Sequence, residues 1–436
     1  MKSPASAQLA TQWQIEKIVP GGDGFARLAD GRTGFARGAL SGERIEVSAW
    51  EERKSYRVAR QFRVLAASAE RVTPVCAVQA RCGGCNWMML RYDAQLREKA
   101  NLLREALTRM GGLRELPEIA FVASPEPLGY RSRVRLQVSP EGQLGFFAAG
   151  SHELIEIPHC PVARTELNRA LERLRALPRS LRAELGCFRE LELRVAPSEG
   201  ALGLRLIPQE EGNGARAASP ALLAALGDFL VTVAEQPLDP ETDQRWPLLE
   251  GVELRVPAAA FVQVNWGVNV ELVRALCAGA QARGARRFCD LYAGAGNFSL
   301  PLARLGLAGV AIEASREAIG AARRAAREQR LNAVRFVADD VAHALEQLPP
   351  AEVFDLIVLD PPRSGARAAL ARILDLRARH VAYCACDPVT LARDLRVLSD
   401  GGYRLTELTG FDMFPQTHHF ETLAWLELAG NQRTLG

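Results

Sequence analysis

A cysteine in the last quarter of the chain has the surroundings of a catalytic nucleophile. Cys386 ends an apolar, strand-like run and is followed by Asp387 and Pro388. Ligands of open α/β sheets collect beyond the carboxyl ends of the strands, and proline stops a strand, so we expect Cys386 to face a crevice. Cys384 lies two residues earlier on the same strand face, one pleat deeper. We rank Cys384 second as a nucleophile, because a free thiol at that depth is typical of a core.

A glycine-rich turn has the pattern of a cofactor loop. Gly294 and Gly296 follow the strand-like run that contains Cys289, and a helix-like run comes after them. Glycines let a ligand approach the backbone closely, and a helix N-terminus offers free amide donors. A second strand ends in Glu313, about twenty residues further on, where the hydroxyl pair of a ribose needs an acceptor. Since the third glycine of the dinucleotide fingerprint is missing, the turn favours a nucleoside without a pyrophosphate, which indicates S-adenosylmethionine.

Two more strand-like runs end in acids. The Asp-Pro-Pro-Arg sequence that begins at Asp360 follows one apolar run and would shape a substrate pocket at the same sheet edge. An aspartate that caps a helix or a turn is the alternative for Asp360. The other run ends in Asp339 and Asp340, where a carboxylate suits the amino group of adenine. The sequence leaves open which of these two side chains points inward.

Four of the nine cysteines have a spacing typical of metal ligands. Cys76, Cys82 and Cys85 form C-x5-C-G-G-C, and Cys160 lies in a Pro-His-Cys-Pro sequence. Disulfides are rare in cytosolic proteins, so clustered cysteines predict ligands. Four thiolates suit a 4Fe–4S cluster, while a structural zinc, which His159 keeps open, and unligated thiols are the alternatives. A cluster with all four irons bound by cysteine has no iron left for S-adenosylmethionine, which argues against radical chemistry.

The amino-terminal part of the chain has the pattern of a small RNA-binding β-barrel. Residues 14–62 alternate short β-type runs with glycine turns. Residues 53–63 carry five cations, interleaved aromatic side chains and no acid. Such a stripe favours a phosphate backbone with unstacked bases, and a solvated strand is the alternative. Arg131, Arg133 and Arg135 would share one strand face and form a second candidate RNA track, unless acids of another strand neutralise them.

The composition is that of a multi-domain soluble enzyme. With 436 residues, of which 48% are hydrophobic and 24% charged, the chain is too long for a single core. We find no apolar signal sequence and no membrane-spanning run, which predicts a cytoplasmic protein without a membrane partner. The net charge of +3 neither requires nor excludes RNA. Gln263 and Asn265 alternate in Phe-Val-Gln-Val-Asn, which predicts a short strand with both on one face, and we place a domain boundary just before it.

Together these motifs resemble the RNA 5-methyluridine methyltransferases, and within that family the 23S ribosomal RNA branch that carries an amino-terminal TRAM domain and a 4Fe–4S cluster. The resemblance covers nearly the whole chain. It rests on the glycine-rich amino-terminal runs, C-x5-C-G-G-C with the later His-Cys-Pro-Val, Phe-Val-Gln-Val-Asn, Asp-Leu-Tyr-Ala-Gly-Ala-Gly-Asn-Phe-Ser-Leu, Asp-Pro-Pro-Arg, Cys-Asp-Pro-x-Thr-Leu-Ala-Arg-Asp and Phe-Pro-Gln-Thr-His-His-Phe-Glu.

The resemblance implies a multi-domain α/β fold and a set of site residues. Its domains would be a TRAM-like, OB-like RNA-binding β-barrel at 1–66, a central α+β domain with the 4Fe–4S cluster at 67–260, and a Rossmann-like methyltransferase domain at 261–436. It implies Cys386 as nucleophile and Glu421 as base, with a structural carboxylate as the alternative for Glu421. The cofactor would lie among Gln263, Tyr292, Gly294, Gly296, Asn297, Glu313, Asp340 and Asp360, and the cluster ligands would be Cys76, Cys82, Cys85 and Cys160.

These residue types fit methylation of uracil at C5. Because C5 is a weak nucleophile, a thiolate first adds to C6, C5 then attacks the sulfonium methyl group, and a base removes the C5 proton before the thiolate is eliminated. The target base must leave its stack to reach both groups. RNA is the predicted partner, with 23S ribosomal RNA favoured over transfer RNA by the resemblance, and no obligate protein partner is indicated. A methyltransferase for an exocyclic amine and an RNA-binding or iron–sulfur sensor without catalysis are the other classes.

The chain departs from the family pattern beside the nucleophile. The family often has Ser-Cys-Asn-Pro where this chain has Ala385, Cys386, Asp387 and Pro388. A supporting hydroxyl is therefore absent and an acid replaces an amide. A neighbouring carboxylate raises the pKa of a thiol unless it is turned away or paired, so we expect an effect on rate and not on the type of reaction.

Overall fold

The amino-terminal part of the chain forms a six-stranded sheet. The computed structural model of the protein describes residues 10–197, 200, 202–209, 217–234, 243–349 and 352–429. The first strands are β1 Thr11–Gln14, β2 Lys17–Ile18, β3 Gly24–Arg27, β4 Thr33–Ala36, β5 Arg44–Glu52 and β6 Tyr56–Ala66. Their order in the sheet is β1-β5-β6-β4-β3-β2, around a small core that includes Trp13, Ile45 and Val47. These are short strands of the kind that the sequence predicts, and closure into a barrel stays a prediction.

A second six-stranded sheet follows a long helix. The elements are α1 Tyr92–Arg109, β7 Ile119–Val122, β8 Arg133–Val138, β9 Leu144–Phe147, β10 Leu154–Glu156, α2 Thr165–Arg175, α3 Arg179–Leu185, β11 Phe188–Val195, β12 Leu202–Pro208, α4 Pro220–Leu226 and β13 Leu230–Val233. The sheet order is β10-β9-β8-β11-β12-β13. Alternating leucines of β11 pack against α2, because Leu191 and Leu193 share a core with Leu171. A hairpin of β14 Gln244–Leu249 and β15 Val252–Val256 completes this part.

The carboxyl-terminal part is an α/β layer built on an eight-stranded sheet. Its elements are α5 Trp266–Ala282, β16 Arg287–Leu291, α6 Ser299–Arg304, β17 Ala308–Glu313, α7 Arg316–Glu328, β18 Val334–Ala338, α8 Val341–Glu346, β19 Leu356–Leu359, α9 Leu370–Leu376, β20 His380–Ala385, α10 Pro388–Asp400, β21 Tyr403–Phe411 and β22 Glu421–Leu428. The order is β18-β17-β16-β19-β20-β22-β21-β7, and the first five strands run parallel. Every residue of β19 and β20 is buried, as expected for central strands covered on both faces.

The protein therefore has a mixed α/β fold whose largest sheet takes a strand from an earlier part of the chain. Its edge strand β7 pairs in parallel with β21, although it precedes the boundary that we place at residue 260. The division into three domains stays a prediction. Among the described residues, the longest apolar stretches of helix fall short of what a membrane crossing requires.

Candidate active site

Cys386 lies directly after β20, at the edge where the central parallel strands end. Its side chain is half-buried, whereas Cys384 is fully buried. The neighbouring acid, Asp387, caps α10 and accepts hydrogen bonds from the amides of Val389 at 2.9 Å and Thr390 at 2.8 Å. The carboxylate that the sequence places beside the thiol is thus engaged by the helix N-terminus.

The thiol of Cys386 is strongly biased towards its protonated form. Burial is the main reason that its pKa rises to about 12, Glu421 adds to the rise, and Arg363 opposes it. Among the charged neighbours Asp387 has the smallest effect, in agreement with its role as a helix cap. Arg363 is exposed and belongs to the Asp-Pro-Pro-Arg sequence, but the motif gave no reason to assign it a role. Its positive charge favours the thiolate form of Cys386.

Glu421 is the first residue of β22 and lies beside Cys386. In the antiparallel pair of β20 and β22, Ala385 lies opposite Thr422, so Cys386 and Glu421 come next at the same end of adjacent strands. Only 4% of Glu421 is exposed, which allows little water to stabilise a charge. Burial, followed by the neighbouring Asp360, raises its pKa well above the usual value, and Arg363 lowers it.

Asp360 is the third ionisable group at this edge. It follows β19, the neighbour of β20, and its amide donates to the Leu291 carbonyl at 3.3 Å. Burial raises its pKa to about 7. Asp360 in turn raises the pKa of both Cys386 and Glu421, so the three groups influence each other. Because α9 begins after Ala369, Asp360 does not cap that helix, and a turn aspartate stays the alternative.

The glycine turn predicted after β16 is present and has a left-handed backbone. Gly294 has φ +55° and Gly296 has φ +92°, and Tyr292 adopts +64° although it carries a side chain. A Cβ atom at Gly294 would meet no atom within 4 Å, so open space adjoins the turn. Glu313, at the end of β17, accepts hydrogen bonds from the amides of Gly294 at 3.1 Å and Ser315 at 2.8 Å. The turn and the acid therefore form one unit, as their spacing predicts.

Two amide side chains border the same region. Asn297 exchanges hydrogen bonds of 2.9 and 3.0 Å with Asn269 of α5. Gln263 is 6% exposed, and its Oε1 has no hydrogen-bond partner among the described residues. A buried acceptor without a donor is costly, so Gln263 is suited to a polar ligand. The prediction of a short strand here is wrong, because Asn265 makes one isolated bridge and caps α5 through the Val268 amide.

Asp339 and Asp340 are both engaged at the start of α8. Asp340 is exposed and accepts hydrogen bonds from the amides of Ala342 at 2.9 Å and His343 at 3.1 Å. Asp339 pairs with the imidazole of His343, with 2.7 Å between Oδ2 and Nδ1. The contact of Asp340 with adenine stays a prediction, and the capping bonds leave it free acceptor capacity.

The four cysteines of the predicted metal site line one cavity of about 400 Å³. His159 and Arg131 line the same cavity. As placed, no three histidine, cysteine or acidic side chains of the described residues stand close enough to hold a metal ion. Burial raises the pKa of Cys85 to about 12, and Arg131 opposes this rise. A metal bound by Cys76, Cys82, Cys85 and Cys160 therefore stays a prediction.

With this geometry in view, comparisons with known proteins give a consistent result. The profile of the tRNA (Uracil-5-)-methyltransferase family matches residues 250–429. The 23S rRNA (uracil(1939)-C(5))-methyltransferase RlmD of Pseudomonas putida is 35% identical, over 95% of this chain and 92% of that protein. The chain belongs to the RNA (uracil-C5)-methyltransferase family. It is accordingly an S-adenosylmethionine-dependent enzyme of that family, as the sequence motifs predict.

Two further matches cover nearly the whole chain. An uncharacterized RNA methyltransferase of Gloeobacter violaceus is 33% identical over 95% of both chains. The crystal structure of Pyrococcus abyssi tRNA (uracil-54, C5)-methyltransferase in complex with S-adenosyl-L-homocysteine superposes with a TM-score of 0.75. The superposition covers 95% of this chain and 99% of the Pyrococcus abyssi chain, at 24% sequence identity. The two proteins therefore share a fold.

Acids of neighbouring strands pair with cations of both candidate RNA tracks, whereas Arg131 lies before β8 and lines the cavity of the four cysteines. In the amino-terminal stripe, Arg57 pairs with Glu52 at 3.0 Å and Arg63 with Glu46 at 2.7 Å. On β8, Arg135 lies 3.1 Å from Glu192 of β11. Most arginines that the sequence predicts to form a basic surface are therefore paired with acidic side chains of the same protein.

Two further residues that the sequence analysis missed lie on α1. Lys99 forms a fully buried ion pair with Asp412, and Gln95 exchanges hydrogen bonds with Gln416. More than 300 residues separate the members of each pair, with sequence separations of 313 and 321. The helical pattern of residues 93–110 predicts α1, but no sequence signal identifies these two contacts.

Proposed function

We propose that this enzyme methylates C5 of a specific uridine of 23S ribosomal RNA through a covalent adduct between Cys386 and C6 of uracil. The observation that supports the proposal is the pairing of β20 with β22, which brings Cys386 and Glu421 to the same end of adjacent strands, where the thiol would be the nucleophile and the carboxylate the base. Asp360 and Arg363 complete this edge.

Cys386 would act first. Its thiolate adds to C6, and the electron pair of the C5–C6 double bond becomes available at C5. The raised pKa means that little of Cys386 is thiolate before the substrate binds. Arg363 and the electron-withdrawing uracil ring would then have to favour the thiolate. When bound, S-adenosylmethionine supplies an electrophilic methyl group to C5.

Glu421 would act second. Its carboxylate takes the proton from C5, the C5–C6 double bond forms again, and the bond between C6 and the sulfur of Cys386 breaks. A buried carboxylate with a raised pKa is a stronger base once ionised than an exposed one. The position of Glu421 on a strand, at 4% exposure, also keeps bulk water away from the adduct.

The cofactor would be held by the turn after β16 and the ends of the neighbouring strands. Glu313 would accept from the ribose, Asp340 would contact the adenine amino group, and the buried Oε1 of Gln263 would gain the donor that it lacks. The remaining groups around the cofactor would be Tyr292, Gly294, Gly296, Asn297 and Asp360.

The choice of 23S ribosomal RNA rests on similarity along nearly the whole chain to relatives named for that substrate. Transfer RNA is the second candidate, because the solved structure with the same fold is named a tRNA methyltransferase.

In either case the six-stranded amino-terminal sheet would serve as a TRAM-like RNA-binding domain at 1–66, followed by a central domain at 67–260 and the methyltransferase domain at 261–436.

We further propose that Cys76, Cys82, Cys85 and Cys160 hold a 4Fe–4S cluster. Four thiols around one cavity match its ligand set, and each cysteine would bind a different iron, whereas the zinc alternative needs all its ligands around one ion. Purified under anaerobic conditions, the protein should contain about four irons and four sulfides per chain. Cys85→Ser should lower both, while Cys187→Ser, outside the cavity, should leave both unchanged.

Matched cysteine variants test the chemistry. Cys386→Ala should abolish methylation and the denaturation-stable adduct with RNA, because no thiolate can add to C6. Cys384→Ala, two residues away in the same strand, should retain both. Methylation by Cys386→Ala at the normal rate would overturn the covalent mechanism.

Nucleoside mass spectrometry of RNA from a strain that lacks the gene tests the substrate. Loss of 5-methyluridine from one position of 23S ribosomal RNA is the expected result. Loss from transfer RNA alone would keep the mechanism and replace the substrate by the second candidate.

A further inference from the structure

The connection between β21 and β22, residues 412–420, leads directly into Glu421, and we call it the base loop. Three of its residues anchor it to the rest of the molecule. Asp412 pairs with Lys99 of α1, and the Lys99 ammonium also donates to the Phe414 carbonyl at 3.1 Å. Tyr130 donates its hydroxyl to the Pro415 carbonyl at 3.0 Å. The loop that presents Glu421 is thus held from outside residues 250–429, which the family profile covers.

Gln416 is the most constrained residue of the base loop. It has φ +69°, a left-handed conformation that a residue with a side chain adopts only when its surroundings hold it. Its amide donates to Gln95 Oε1 at 2.9 Å, and its carbonyl accepts from the Trp87 amide at 3.0 Å. Its side chain accepts from Gln95 Nε2 at 3.1 Å and donates to the Pro127 carbonyl at 3.2 Å. All the polar groups of Gln416 are satisfied by residues from an earlier part of the chain.

Gln95 is the centre of this arrangement. It is fully buried on α1, and besides its two bonds with Gln416 its Nε2 lies 2.8 Å from the Leu90 carbonyl and 3.2 Å from the Trp87 carbonyl. An amide is the side chain that can donate to carbonyls and accept from a backbone amide at once. Gln95 therefore joins two segments of backbone, residues 87–90 and the base loop.

We propose that Gln95 is a positioning residue for Glu421. By holding Gln416 in its left-handed conformation, Gln95 sets the path of the base loop and hence the place from which the carboxylate reaches the C5 proton. The inference rests on the proposed function and deepens it, since it assigns to α1 a part in the second half of the reaction. Proton removal depends on the placement of Glu421, whereas addition of Cys386 to C6 does not.

The test follows the covalent adduct in Gln95→Met, which keeps the length of the side chain and removes its polar atoms. Total RNA from a strain that lacks the gene, which carries the unmodified target whichever RNA it is, serves as substrate together with S-adenosylmethionine. The adduct should form at a rate within about twofold of wild type and disappear about tenfold or more slowly, so that it accumulates. Glu421→Gln should accumulate adduct for the same reason and provides the reference.

Three comparisons separate positioning from a general loss of structure. Gln137→Met, which removes another bonded glutamine on β8, should turn over like wild type. In Gln416→Gly the glycine adopts a positive φ without strain, so this variant should accumulate less adduct than Gln95→Met. It also tests the same contact if Gln95→Met does not fold. In a double variant of Gln95 and Gln416, adduct decay should be no slower than in Gln95→Met alone.

The outcomes distinguish this inference from the mechanism beneath it. Suppose that Glu421→Gln accumulates adduct, but that the adduct of Gln95→Met decays at the wild-type rate, or that its formation is slowed as much as its decay. Then Gln95 does not position the base, and the covalent mechanism stands. If the wild-type enzyme methylates RNA and neither Cys386→Ala nor Glu421→Gln behaves as described, the proposed function itself fails.

Discussion

Lys99 of α1 and Asp412, directly after β21, form an ion pair with 2.5 Å between Nζ and Oδ1, and both side chains are fully buried. Burial lowers the pKa of Lys99, and the carboxylate of Asp412 opposes that shift. Each charge is therefore stable in the core only because the other is present. The pair connects a helix near the amino-terminal sheet to the strand that precedes the base loop.

Removal of one member of this pair should destabilise the fold strongly. Lys99→Met leaves the Asp412 carboxylate buried without its cation, and we expect a loss of about 3–5 kcal/mol in the free energy of unfolding. The double variant Lys99→Met with Asp412→Leu leaves no charge and should recover most of that loss. Urea unfolding of the three proteins measures both effects, and equal losses in the single and double variants would contradict the argument.

The buried carboxyl group of Asp290 should make stability depend on pH. Burial raises its pKa from 3.8 to about 7, and it accepts a hydrogen bond from Ser299 Oγ. Between these two pKa values the folded state binds the extra proton, so stability is present at low pH and falls by up to about 1.4 kcal/mol per pH unit as pH rises.

Asp290→Asn removes this dependence. Relative to wild type, the variant should gain free energy of unfolding between about pH 4.5 and about pH 7, with little further change above. Urea unfolding at several pH values checks the slope, and Asp228→Asn, which changes an exposed acid, is the control. Parallel curves for Asp290→Asn and wild type would show that the folded carboxyl keeps its ordinary pKa.

Reactivity of the nucleophile should increase steeply with pH. With a pKa of about 12 for Cys386, the thiolate fraction grows about tenfold per pH unit from neutral to alkaline pH. Alkylation by iodoacetamide, followed by peptide mass spectrometry, should show that rise at Cys386, and Arg363→Gln should slow it at each pH because a cation is lost. Cys384 is fully buried, so the reagent cannot reach it and it should remain unlabelled. A plateau near pH 8 would contradict the raised pKa.

The acid at the end of β17 should determine cofactor affinity. Glu313→Ala removes the partner of the Gly294 amide as well as the proposed ribose acceptor, and we expect affinity for S-adenosylhomocysteine to fall about tenfold to a hundredfold. Isothermal titration calorimetry measures the change. Glu317→Ala, an exposed acid four residues further along, is the matched control and should bind as wild type does.

The sequence was most informative where chemistry depends on neighbours along the chain. The strand, glycine turn and helix around Gly294 and Gly296, and the strand β17 that ends in Glu313, occur as predicted because local backbone rules govern them. Cys386 also lies at its predicted strand end. Where a local pattern depended on distant partners it misled: the Gln263 segment is no strand, since its surroundings supply a helix cap and a single bridge instead.

By itself, then, the sequence determined the α/β class, the family and the residues able to react, because those follow from local periodicity and from motifs of fixed spacing. Only the tertiary structure decided how the chain neutralises its basic stripes, how Glu421 comes to stand beside Cys386, and how Gln95 and Lys99 hold the base loop. Such contacts join residues separated by up to 321 positions. The physical reason is that strand order and helix packing, not the distance along the chain, bring these side chains within hydrogen-bonding reach.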